Sequence, residues 1–423
     1  MGSQYPKGMH DSGALTPPIT PTSASHSKTG SASSDFLNTL SSLRRGDSTS
    51  SRTGSQYSMD ESAKPGSTEL LVFPHQLTDY EFRTDADGKK KTIGEGLWSD
   101  VYLAKPTLPK PSVHSFSLIT SGADMTPPIT PVRSRNSSLG ANQLPIVTPL
   151  YAIKVPASTS AKKVLGAEAR ILSYLSRFPN AERHVVPFYG LDTRTGALVL
   201  KAMDDTLESW IEKELNTLDE VSRAQKLAAV FPAIARSLMD SLLWMQDKGC
   251  THADIKPSNI LVSSSPTGIP TTVFSDFSST ILAIPNSGTN IETSPVGAGT
   301  WDYLDPSLLS SRSPSSPSAA TDLWSLSITL LFLIIGSSPY DAFKANTFQQ
   351  REMIKSGSPL QCLQYGDEGI KNMKRLNTLS KNLGFDLQKW FSRVLVKNMD
   401  KRVEIVPWKE ELAHATNDMV AKI

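Results

Sequence analysis

THADIKPSNIL, residues 251–261, sets a carboxylate, an ammonium and an amide at fixed offsets along one short loop. Asp254 offers a carboxylate that can accept a proton from a hydroxyl. Lys256, two residues on, can neutralise a transferring phosphoryl group, and Asn259, five residues on from Asp254, can reach a magnesium ion. Taken alone, the stretch also reads as an ordinary polar loop, because a short match carries weight only when its surroundings agree.

The loop resembles the catalytic loop of protein kinases, and residues downstream fall where that family needs them. Asp276 in SDFS (275–278) is similar to the DFG aspartate that chelates magnesium between phosphates, with Ser278 in place of the glycine. AGTWDYLDPSLL (298–309) resembles the end of a kinase activation segment, where Thr300 would shape the substrate pocket and Pro306 would stand at the proline of APE. Ser307 replaces the glutamate of that motif. In the family this glutamate pairs with an arginine near the domain end, and Arg402 in NMDKRVEI stands there. A buried guanidinium without a partner would cost about 3 to 5 kcal/mol, so Asp305 is expected to act as the missing acid. Asp322 in DLWSLS resembles the helix-start aspartate that holds the catalytic-loop backbone, with Ser327 for its glycine.

Upstream, GEG at 94–96 with Ser99 after it resembles the glycine-rich loop, whose small residues let backbone amides approach phosphate oxygens. A plain hairpin turn has the same composition. Lys154 in YAIK looks like the third-strand lysine that clamps phosphates, and Glu168 fits the helix carboxylate that holds it. The resemblance implies a nucleotide site whose phosphate side is Gly94, Gly96, Ser99 and Lys154. Val101, Ala152, Leu200, Lys201, Met203 and Leu261 would form its remaining walls. The loop reads HAD where most kinases have HRD. Ala253 removes the arginine that binds a phosphate on the activation segment, so activity independent of phosphorylation between Ser278 and Ser294 is expected.

The implied fold is α+β, a two-lobed protein kinase fold with a small antiparallel β-sheet N-lobe carrying one helix, and a mainly helical C-lobe. The domain is expected over 70–420, with the N-lobe at about 70–203, a low-complexity insertion at 106–148 and the C-lobe at about 204–420. Strands are expected within 92–105, at 151–155 and in HVVPFYG and GALVLKAM. A helix is expected to bury Val164, Leu165, Ile171, Leu172 and Leu175 on one face. A second helix would bury Leu227, Val230, Phe231, Ile234, Leu238 and Met245, and TDLWSLSITLLFLIIG (321–336) reads as a buried central helix. The implied reaction is transfer of the ATP γ-phosphoryl group to a protein serine or threonine, using ATP and Mg2+. Asp254, Lys256, Lys154 and Glu168 would be catalytic, with Asn259 and Asp276 as metal ligands. The alternative is a pseudokinase, a nucleotide-binding or scaffolding module, for which Ala253, Ser278, Ser307 and Ser327 argue. A phosphotransferase for small metabolites is a third reading.

Composition narrows the remaining classes. Lys+Arg 43 against Asp+Glu 41 leaves a net charge of +2, so no electrostatic case exists for nucleic-acid or anionic-membrane partners. Two cysteines, Cys250 and Cys362, cannot build a disulfide framework and lack zinc-site spacing, which points to a reducing compartment. The first thirty residues lack a secretory pattern, and no run approaches eighteen apolar residues, so a cytoplasmic or nuclear monomer is expected. Residues 1–68 read as a disordered tail rich in Ser, Thr, Gly and Pro. Within it SGALTPPITP (12–21) reappears as SGADMTPPITP (121–131) in the insertion. The Thr-Pro steps at Thr16, Thr20, Thr126 and Thr130, and Arg133 and Arg135 before Ser138, suit upstream proline-directed or basophilic kinases. Composition bias without a regulatory role is the other reading.

Overall fold

Runs of β-branched and aromatic residues separated by turn formers build the first part of the chain into a sheet. The computed structural model describes Pro65 and residues 67–109, 150–266, 268–283, 299–309 and 316–420, within a unit running from Pro65 to Ile423. Both TPPITP copies, Arg133, Arg135, Ser138, residues 284–298 and most of the expected tail and insertion lie outside the described residues.

The sheet comprises β1 (Asp79–Phe82), β2 (Thr92–Glu95), β3 (Ser99–Thr107) and β4 (Tyr151–Pro156). After α1 (Ala161–Leu175) come β5 (Phe188–Asp192) and β6 (Ala197–Lys201). All pairs are antiparallel, in the order β1-β3-β4-β6-β5 with β2 also paired to β3. The strands expected from sequence are present, and β1 is an addition to them. It pairs Asp79 and Tyr80 with Thr107 and Pro106, so β3 continues into the stretch expected to be insertion. Across the sheet Val101 faces Lys154, and Ala152 faces Leu200. The five apolar residues expected on one face of α1 are all buried. Full burial of each stabilises by about 1.5 to 3 kcal/mol before chain entropy is counted.

Beyond β6 the chain turns helical. β7 (Asp205–Thr206) leads into α2 (Leu207–Glu214), where the Thr206 hydroxyl accepts the Ser209 N–H at 3.1 Å. α3 (Glu220–Gln246) starts at Asp219, whose carboxylate accepts the Val221 and Ser222 N–H groups. By length and composition alone α3 could cross a membrane, although polar residues interrupt it and it holds no run of eighteen apolar residues. Its six expected apolar residues are buried in protein, as in a core helix.

Short strands then frame the loop that opened the reading: β8 (Cys250–Thr251), β9 (Ile260–Ser263), β10 (Thr271–Phe274) and β11 (Ile281–Leu282). β8 pairs with β11, and β9 pairs with both β7 and β10, so residues 252–259 are pinned at both ends. α4 (Ala319–Ile335) begins with a reciprocal Ser318–Thr321 capping box and ends at Gly336, whose φ of 84° suits glycine. Its side chains from Thr321 to Ile335 are buried, as expected of a central helix. α5 (Thr347–Ser356), α6 (Pro359–Cys362), α7 (Gly369–Leu383), α8 (Leu387–Ser392) and α9 (Ile405–Val420) complete this lobe.

Candidate active site

Lys154 sits mid-strand on β4 and Glu168 on the buried face of α1, so sheet and helix bring them together. The Lys154 Nζ donates to both Glu168 carboxylate oxygens, at 2.9 and 2.8 Å, and to Asp276 Oδ1 at 2.8 Å. Burial works against the Lys154 charge, but the Asp276 and Glu168 carboxylates overcome it and hold the ammonium above the usual lysine value. Burial also raises Glu168, opposed by Lys154 and reinforced by the Asp276 charge. For Asp276 burial acts upward, yet Lys154 outweighs it and keeps the carboxyl well below the usual range. With 38% of its side chain exposed, Asp276 is the member of this group that faces outward.

Asp276 is held in an unusual backbone state, φ 58° and ψ 76°, and its carboxylate accepts the Ser278 N–H. Phe277 is fully buried, its N–H donates to Glu168 Oε1 at 3.2 Å, and its ring lies 5.0 Å from that of His252. Glu168 therefore grips both the lysine and the segment that carries Asp276.

The 252–259 loop is built around a buried histidine. His252 Nε2 lies 3.0 Å from the Ser275 carbonyl, and its Nδ1 accepts the Asp254 N–H at 3.3 Å. Burial lowers the His252 pKa, and the neutral ring with its proton on Nε2 satisfies both contacts. From α4, Asp322 accepts the His252 and Ala253 N–H groups at 2.7 and 2.9 Å, the backbone anchor expected of it. Burial pushes the Asp322 pKa up to about 7 against the pull of those donors. Ala253 itself adopts φ 65°, a left-handed state costly for a residue with a Cβ, held by these bonds.

Four donors converge on the Asp254 carboxylate. Oδ1 accepts the Thr300 N–H at 3.0 Å and the Thr300 hydroxyl at 3.1 Å. Oδ2 accepts Asn259 Nδ2 at 3.0 Å and pairs with Lys256 at 2.9 Å. Lys256 also donates to the Thr300 hydroxyl at 2.8 Å. That hydroxyl thus bridges Asp254 and Lys256, a contact beyond the substrate-pocket role expected of Thr300 from the sequence. The mark the sequence carries is the neighbouring Gly299, which the structure holds at φ 122° and where an added Cβ would lie 2.3 Å from Leu304.

The donor set fits magnesium. Asn259 Nδ2 is occupied by the Asp254 carbonyl and carboxylate, which leaves the amide oxygen for a cation, and Asp276 adds an exposed carboxylate. Magnesium is commonly held by one or two carboxylates together with phosphates, so no dense protein cluster is needed. Among the described residues no group of three or more His, Cys, Asp or Glu side chains could hold a metal.

The expected nucleotide walls are partly gathered. Val101, Met203 and Leu261 pack, half-buried, against a core that contains Ala152 and Leu200. Gly94 pairs with Val101, a Cβ on Gly96 would lie 3.3 Å from the Ser99 carbonyl, and Ser99 is buried. Lys201 has an exposed side chain, leaving its backbone on β6 as the part near the site. A surface depression of about 660 Å³ lies on α7 beside Ile370, Met373 and Lys381, away from this chemistry.

Away from these groups, Arg402 Nη1 pairs with Asp305 Oδ2, with the two side chains 3% and 0% exposed. The expected substitution of Asp305 for the absent glutamate is what is found. The guanidinium also stacks 4.8 Å over Trp324.

A model of the protein kinase domain matches residues 148–414 of the chain. The chain belongs to the protein kinase family. Within it this kinase domain is similar to the serine/threonine-protein kinase TOS3 of Saccharomyces cerevisiae, 29% identical over 182 residues, 42% of this chain and 30% of that protein. Serine/threonine-protein kinase ISR1 of Eremothecium gossypii is 30% identical over 225 residues, 49% of this chain and 56% of that protein. The dual specificity mitogen-activated protein kinase kinase sek-1 of Caenorhabditis elegans is 26% identical over 183 residues, 41% of this chain and 49% of that protein. The matched regions span 30% to 56% of the length of these relatives.

Proposed function

We propose that this kinase domain transfers the γ-phosphoryl group of ATP to a protein serine or threonine. The observation that carries the reading is the joint arrangement of two charged groups: Lys154 held by Glu168 and Asp276, and Asp254 held by Lys256, Asn259 and Thr300. Lys154 would bind the non-transferred phosphates, its charge secured by two carboxylates. Asp254 would orient the acceptor hydroxyl and take its proton. Lys256 would stabilise the transferring group. Asn259 and Asp276 would hold magnesium, which when bound neutralises charge on the phosphates. Val101, Ala152, Leu200, Met203 and Leu261 supply the apolar environment suited to a purine.

Lys256, two residues after the base, favours serine and threonine over tyrosine, and two relatives are named as serine/threonine kinases while a third is named dual specificity. None of the four departures that raised the pseudokinase alternative falls on a group assigned to ATP, magnesium or the acceptor hydroxyl: Lys154, Asp254, Lys256, Asn259 and Asp276 are all present. Asp305 pairs with Arg402 despite Ser307, and the Ser327 hydroxyl is satisfied by the Leu323 carbonyl at 2.8 Å. A monomer in the cytoplasm or nucleus is our further reading; the two cysteines, free and buried, suit a reducing compartment. Phosphorylation of the Thr-Pro steps or Ser138 by upstream kinases belongs to the same proposal.

The test is incubation of the full chain with labelled ATP, magnesium and a generic basic protein, followed by phosphoamino-acid separation. Label on serine or threonine is expected. Label on tyrosine alone, or ATP binding without any transfer, would contradict the proposal.

A further inference from the structure

Residues 67–73, ahead of the first strand, form a strap between the sheet and α1. On the sheet side Val72 bridges Leu191 of β5 in parallel, with Phe73 N–H donating to the Leu191 carbonyl at 3.0 Å and Leu191 N–H to the Leu71 carbonyl at 2.8 Å. The approach requires glycine. Gly190 has φ +132°, and a Cβ there would lie 2.4 Å from the Phe73 nitrogen. Phe73 is 1% exposed and packs edge-on to Tyr151 of β4, so this end is fixed to the strand that carries Lys154.

On the helix side the Leu71 N–H donates to the Ser173 hydroxyl at 2.8 Å, and that hydroxyl donates to the Ala169 carbonyl at 2.6 Å. Arg177, just past α1, donates to the Ser67, Glu69 and Ser173 carbonyls at 3.1, 2.6 and 3.0 Å. The strap thus holds the helix at Ser173 and Arg177, the Ser173 hydroxyl in turn bonding the carbonyl of Ala169 next to Glu168, and it joins the helix to the sheet on which Lys154 stands. A helix free to swing outward would separate the two charges, and here a segment of the same chain opposes that swing.

We infer that the strap is a positioning element for Glu168: Ser173 and Arg177, through residues 67–73, keep α1 at the distance where Glu168 holds Lys154 and the Phe277 N–H. The inference rests on the kinase reading for its effect on turnover, but its structural part does not depend on turnover. Ser173 and Arg177 touch neither nucleotide nor acceptor, so they act through Glu168.

The test uses the full chain with Arg177→Ala, Ser173→Ala and the conservative Arg177→Lys, each also in a Glu168→Gln background. Loss of the three hydrogen bonds from Arg177, each replaced in part by water, is expected to accelerate amide exchange in α1 by at least about tenfold in Arg177→Ala. It should lower kcat by a similar factor without raising KM for the acceptor, with partial rescue by Arg177→Lys. In Glu168→Gln the same substitution should lower kcat no further, as expected for two residues acting through one link. Unchanged exchange in α1, or an equal fall in kcat with and without Glu168, would overturn the inference. Exchange is read without turnover, so a chain that transferred no phosphate would refute the kinase proposal while the strap was still decided by its exchange rates.

Discussion

Thr300→Val removes one hydroxyl and leaves the rest of the catalytic loop intact. That hydroxyl receives a hydrogen bond from Lys256 at 2.8 Å and gives one to Asp254 at 3.1 Å. Hydrogen bonds to charged groups contribute about 1.5 to 3 kcal/mol each. Lys256 and Asp254 side chains are 20% and 12% exposed, so water recovers part of the loss, and the Asp254–Lys256 pair at 2.9 Å and the Thr300 N–H bond at 3.0 Å remain. The net effect on the transition state is therefore expected near the worth of one such bond, about 1.5 to 3 kcal/mol, which is about 10- to 150-fold in kcat. KM for ATP should be unchanged, because Thr300 bonds neither Lys154 nor Asp276. Thr300→Ser keeps the oxygen and should retain most activity. The assay is steady-state phosphorylation of a protein acceptor with ATP and acceptor varied separately. A kcat for Thr300→Val within twofold of the parent, or an equal loss in Thr300→Ser, would refute the role given to the hydroxyl.

Asp305→Asn removes the counter-charge of a buried guanidinium whose other hydrogen-bond partners among the described residues are the Val396, Ala320 and Lys397 carbonyls, and should destabilise the fold by up to about 3 to 5 kcal/mol, read as a lower denaturation midpoint; an unchanged midpoint would show that those carbonyls suffice. Replacing Ser287, Thr289, Thr293 and Ser294 together by alanine should leave kcat within tenfold of the parent, since Ala253 offers no cation to a phosphate there; a larger fall would refute that independence. Asp276 is held below the ordinary aspartate value of about 3.9, so its contribution to stability is present above that pH and is lost as the pH falls toward its folded value. Lys154→Met removes the cation that lowers it and leaves burial, which acts upward, so the loss of stability on acidification below the ordinary aspartate value should be smaller in the variant than in the parent. Coincident acid unfolding curves would contradict this.

Order and spacing made the kinase fold legible before any contact was known. Lys154, Glu168, Asp254, Asn259 and Asp276 each carry chemistry that few folds use at those offsets, and α1, α3 and α4 bury the apolar faces their periodicity implies. What escaped the reading depends on contacts distant in sequence. β1 is four residues, DYEF, half-buried at a sheet edge, with too little alternation to mark a strand. α7 is a local exception: its buried Leu376, Leu379 and Leu383 keep the helical i, i+3, i+7 spacing, but the Lys, Asn and Arg around them hold its mean hydropathy low, so it does not stand out. The strap at residues 67–73 depends on Gly190 more than a hundred residues away, which no local pattern encodes. The Thr300 hydroxyl gains its role only when the activation segment folds back onto Asp254, 46 residues earlier in the chain.

Single-turnover transfer by Asp254→Asn, measured beside its affinity for ATP, examines the proton-accepting role at the centre of this account. ATP affinity should match the parent, while transfer should fall by about a hundredfold or more, the usual range for loss of a general base. Undiminished transfer with Asn at 254 would contradict the assignment of this carboxylate as the base.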